Sequence, residues 1–166
     1  MYTTIVQLQN LFIMFRKLIL GFSMLTCLTA FPSCDKDDDD DDPQDTLTHF
    51  SDTMSGAKEF PASPSTATGN VTGEYNHTTK ILTITVTYTG LSSNITMWHI
   101  HKGAVGASGP PLPGFPWGTM GASPFTWSSP ALDATQEADL LNNLYYVNIH
   151  TANHGGGEIR GQLLKH

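Results

Sequence analysis

Apolar and polar residues alternate one by one through residues 80–91, KILTITVTYTGL. Leu82, Ile84, Val86 and Tyr88 fall on one side, and Thr83, Thr85, Thr87 and Thr89 on the other. A period of two marks a β-strand with one buried face, and threonine suits the wet side of such a strand. Shorter stretches of the same kind predict strands over residues 47–54, 67–75, 95–101, 145–150 and 158–164. One helix is predicted. Asp133 is placed to cap a turn starting at Ala134, with Gln136 at the reciprocal capping position, and the following residues to Leu141 allow two turns at most. Residues 103–130 are rich in proline and glycine and are expected to hold little regular structure; loops this long in compact domains are often functional. The pattern predicts an all-β domain: an antiparallel β-sandwich or flattened Greek-key barrel. It carries one long Pro/Gly-rich loop and at most one short helix.

The first 45 residues follow a different pattern. Arg16 and Lys17 precede an apolar run over residues 18–31, which ends in Pro32, Ser33 and Cys34. A basic start, a short apolar stretch and a small residue before the break describe a secretory signal over residues 1–33, with Met14 as an alternative start. The run is too short to serve comfortably as a permanent membrane-spanning helix. The sequence FPSC resembles a relaxed lipobox, which implies that Cys34 becomes the lipidated first residue of the mature protein. Cys27, inside the apolar run, would be discarded with the signal. The mature domain then has no thiol and no disulfide.

Six consecutive aspartates at 37–42 follow. Like charges in a row repel and bury no apolar surface, so residues 34–45 read as a lipidated Cys with a solvated, disordered tether. An acidic stretch directly after such a Cys resembles the surface-export signal of Bacteroidetes lipoproteins. That resemblance implies a lipid-anchored protein of the outer membrane, exposed at the cell surface, whose contact with the membrane is through lipid alone. From Thr46 onward there are 5 basic and 7 acidic residues, a net charge of only −2. A domain so nearly neutral has no basic face for nucleic acid.

Three ordered motifs identify the domain. SGAKEFP at 55–61, WHIHKGAVGASGP at 98–110 and YVNIHTANHGGGEIRGQL at 146–163 together resemble the CHRD (chordin-type) family. The resemblance assigns 46–166 to one extracellular β-domain. The family's biochemical role is poorly defined.

Within these motifs three histidines stand out. His99 and His101 are two apart on one predicted strand and so share a face, with Ile100 opposite. On another strand His150 shares a face with Tyr146 and Asn148, opposite Val147 and Ile149. If the apolar sets face the core, all three imidazoles project from the outer face of the sheet, where neighbouring strands would bring them together. Three imidazoles without a thiolate suit copper or zinc, with Glu158 or His154 as a candidate fourth ligand. His99, His101 and His150 also resemble, in order and spacing, ligands in the copper half of Cu/Zn superoxide dismutase. The bridging histidine, the zinc cluster and the disulfide of that enzyme are missing, and Glu158 stands where its arginine would come.

The alternative is structural: paired histidines can bond loop carbonyls and fasten the 103–130 segment, and Glu158 with Arg160 can form a plain ion pair. Phe115, Trp117 and Trp127 form a candidate glycan- or protein-binding loop, or else pack over the end of the sandwich. No nucleophile elbow, catalytic Cys or phosphate loop is present. The expected function is therefore a surface-displayed, non-enzymatic binding or structural module with a candidate Cu/Zn site. The alternatives are a copper-dependent dismutase-like redox protein, or a module binding an extracellular protein or glycan through its Trp-rich loop.

Overall fold

The computed structural model describes residues 46–115 and 117–166. The expected signal, Cys34 and the acidic tether lie outside the described residues. Eight strands run in chain order: β1 (Leu47–Ser55), β2 (Thr68–Asn76), β3 (Ile81–Thr89), β4 (Ile95–Lys102), β5 (Phe125–Ser128), β6 (Tyr145–Thr151), β7 (Ile159–Gln162) and β8 (Leu164–Lys165). One α-helix, α1 (Ala134–Leu141), and a 3-10 turn (Gly56–Lys58) complete them. The fold is all-β, as the alternation predicts.

Hydrogen bonding orders the strands β4-β6-β7-β1-β2-β3-β5, with β8 paired to β1, and every pairing is antiparallel. The sheet curls until its two edge strands face each other. Trp98 of β4 lies 5.3 Å from Phe125 and 5.4 Å from Trp127 of β5, ring centre to ring centre. Inside this curl Val71, Ile84, Val86, Ile100, Val147 and Ile149 have no exposed surface. Burying each such side chain is worth about 1.5–3 kcal/mol. The threonines of β3 take the opposite face, as expected.

The helix is capped as its sequence predicts. The Asp133 carboxylate accepts from the N–H groups of Thr135 and Gln136, while the Gln136 side chain accepts from the Asp133 N–H. Two expectations need correction. The strand predicted over 158–164 is broken at Leu163, because the Asp52 carboxylate accepts the Gln162 N–H at 3.0 Å and takes the place of a strand partner. The 103–130 segment holds a strand after all. Phe-Thr-Trp-Ser of β5 pairs with residues 83–86 of β3, and hydroxyls meet across the pair: Thr83 with Ser128 at 2.8 Å, Thr85 with Thr126 at 3.0 Å.

Candidate metal centre

Strands β4 and β6 are neighbours, in a register that sets Met97 opposite His150, His99 opposite Asn148 and His101 opposite Tyr146. Ile100, Val147 and Ile149 turn into the core, so His99, His101 and His150 share the other face. One ring nitrogen from each of the three lies within 4.8 Å of the others. The sequence-predicted triad is thus brought together by the β4–β6 pairing.

The face it occupies is not the open outer surface expected from the sequence. His101 is 8% and His150 6% exposed, and every residue of β6 is buried. The 103–109 loop folds over this face and is tied down by side chains of β7. Arg160 donates to the carbonyls of Ala104 and Ala107, and Gln162 donates to that of Gly103. The Arg160 guanidinium stacks 3.4 Å from the Tyr146 ring centre, and Tyr146 stacks in turn on His101. Gly109 lets the loop close, since a Cβ there would stand 1.7 Å from the Lys102 carbonyl oxygen.

Each buried histidine spends one nitrogen on this covering. His101 Nδ1 donates to the Gly109 carbonyl at 2.8 Å, and His150 Nδ1 donates to that of Gly155 at 3.0 Å. A neutral imidazole that donates through Nδ1 carries its lone pair on Nε2. His101 Nε2 is buried without a hydrogen-bond partner in the protein. His150 Nε2 lies 3.4 Å from His99 Nδ1. Two nitrogens held about 2.0–2.1 Å from one tetrahedral ion stand about 3.3 Å apart, so that pair already has ligand spacing. Burial lowers the pKa of all three rings; proximity to His150 adds to the effect at His99 and His101. They are neutral at neutral pH, as ligation requires.

Glu158 is not brought into the group. Its carboxylate accepts from Ser65 Oγ, from the N–H and hydroxyl of Ser92, and from Thr151 Oγ1 at 2.6–3.0 Å. Burial works to raise its pKa, but these bonds outweigh burial and hold the carboxyl below its ordinary range. It makes no ion pair with Arg160 among the described residues. His154 instead meets Ser63 Oγ at 3.5 Å. The residue that sequence reasoning missed is Glu59. It is buried beside Asn148, whose Nδ2 donates to its Oε2 at 3.3 Å, and its Oε1 and the Asn148 Oδ1 have no partner.

The candidate aromatic loop is not a free platform. Phe115, Trp117 and Trp127 are partly buried against the core, stacking on one another over Trp98. Trp117 also meets the edge of His99, 5.6 Å between ring centres. A family model described as CHRD domain matches residues 50–163. No curated protein and no solved structure matches the chain.

Proposed function

This chain belongs to the CHRD domain family, and from that premise we propose that it is a non-enzymatic binding module with a zinc or copper ion held by His99, His101 and His150. The proposal includes display outside the cell on a lipidated Cys34. The observation that carries the metal site is the division of labour within the rings. Backbone carbonyls fix the tautomers of His101 and His150, leaving lone pairs on nitrogens that converge, and one of these is buried with no partner. Carbonyl anchors of this kind are what orient metal-bound histidines. A purely structural network would instead satisfy both nitrogens of a buried ring.

A bound ion would tie β4 to β6 and leave a fourth coordination position. His99, the most open of the three, lines a cavity of about 270 Å³ with Trp117 and Met97, and the fourth position would face this cavity. The near-neutral charge of the domain favours an extracellular protein or glycan as partner over nucleic acid.

Metal analysis of the purified full chain, with thermal melts in Zn(II) and Cu(II), tests the site. One equivalent of metal should raise the melting temperature, because an ion that binds only the folded state stabilises it by mass action. His99→Ala, His101→Ala and His150→Ala should each abolish most of that rise, while His77→Ala keeps it. Comparison among variants cancels weak binding to the aspartate run. If these substitutions lower metal-free stability and metal shifts none of the proteins, the site is structural.

A further inference from the structure

Besides the three histidines this face carries Tyr146 and Asn148 of β6 and Met97 of β4. Met97 lies two residues before His99 on β4, on the same face, and directly opposite His150 on β6. It is 50% exposed, one of three large hydrophobic residues so exposed among the described residues, and it lines the same cavity as His99 and Trp117. Glu158, the oxygen donor that the sequence offered, is engaged by serine and threonine hydroxyls. Tyr146 accepts from the Gly109 N–H and Asn148 is bonded to Glu59, so the thioether of Met97 is the soft donor on this face that opens onto the cavity lined by His99.

We propose that the site is a copper(I) site, with Met97 as the fourth ligand to the ion held by His99, His101 and His150. This rests on the triad reading above and deepens it by naming the ion. Two observations select copper(I) over zinc(II). The first is chemical: thioether sulfur is a ligand for copper(I), whereas zinc draws on thiolate, imidazole and carboxylate. The second is electrostatic. Three imidazoles and a thioether carry no charge, and the Arg160 guanidinium is stacked behind His101 through the Tyr146 ring. A neutral ligand set beside a cation penalises a divalent ion more than a monovalent one.

The test is competition for copper(I) against a chromophoric chelator, under anaerobic reducing conditions, on the full chain. Trp117 fluorescence follows occupancy because that ring abuts His99. Carboxylates are poor ligands for copper(I), so the aspartate run does not compete, and Cys27 and Cys34, whose thiols would, are replaced by serine in every protein compared. Wild type should take up one copper(I) with quenching. Met97→Leu should bind copper(I) about tenfold or more weakly, with zinc affinity unchanged. Leucine is close in volume and the position is half-exposed, so the variant's metal-free melt should match wild type. Should that melt fall, Met97→Gln, which removes the sulfur and keeps the chain length, takes its place. Equal copper(I) affinity in wild type and variant overturns the Met97 assignment and leaves the triad standing. Failure of wild type to bind either copper(I) or zinc(II) overturns the triad itself.

Discussion

His101 on β4 and His150 on β6 each donate through Nδ1 to a loop carbonyl, and Asn148, two residues before His150 on β6, is gripped by Glu59. Burial pushes the Glu59 carboxyl up to about 7, against the opposing pull of Arg160 and the Asn148 amide. Its folded pKa therefore lies above its unfolded value, so the native state holds a proton that the unfolded chain has released. Stability from this proton is fully present below about pH 4.5 and is lost as pH rises through about 7. The histidines act with the opposite sign, since their lowered pKa values make the native state gain stability as pH rises toward 6.5. Comparing Glu59→Gln with wild type isolates the carboxyl. An amide stays neutral at every pH and can donate to the unpartnered Asn148 Oδ1. The melting temperature of Glu59→Gln, relative to wild type, should climb from pH 5 to pH 8; parallel curves would show that Glu59 stays ionised. The HIH spacing made the shared face of His99 and His101 legible in the sequence. Their carbonyl anchors were not, because backbone partners leave no trace in residue identity. Glu158 misled because the hydroxyls that engage it come from Ser65, Ser92 and Thr151, other stretches of chain that its own position in the sequence does not reveal.

Among the elements, β5 carries the most weight for its length. Its four residues close the curl by setting Phe125 and Trp127 against Trp98 of the opposite edge strand. The Trp98 indole N–H is satisfied by the Gly118 carbonyl at 2.9 Å, so the same loop both packs and caps that ring. Trp127→Ala should cost about 2–4 kcal/mol in urea unfolding, as removal of a packed aromatic does. A loss under about 0.5 kcal/mol would mean that the ring is surface, free to serve a ligand. The long strands and the single helix were legible because each shows its period over eight or nine residues, or its cap. β5 was not, since four residues between Ser-Pro pairs give barely one repeat of alternation. Its signal lay in its partner: the hydroxyl face of β3 is matched by Thr126 and Ser128.

The molecule as a whole divides by charge more sharply than by sequence length. Residues 46–166 carry −2, while the 11 residues between Cys34 and Thr46 hold 8 acidic side chains and one lysine. Thr46, the first described residue, is already tied down by its carbonyl, which accepts the His77 N–H at 2.8 Å, and β1 pairs along its full length with β2. The β1 edge toward β7 is joined by the Asp52 carboxylate, which also receives the Lys58 ammonium, so even that seam closes within the domain. The acidic run ahead of this structure is expected to act through solvent, through an export apparatus or through spacing from a surface. Replacing 37–42 by serine should leave the melting temperature within about a degree of wild type, because a run of like charges is expected to stay solvated and so to take no stability away with it. On intact cells the same variant should lose cleavage by added protease, while labelled fatty acid still enters it. Cys34→Ala should lose that label, and Cys27→Ala should keep it. A clear fall in melting temperature would place the aspartates on the domain surface, and label persisting in Cys34→Ala would remove the lipid anchor.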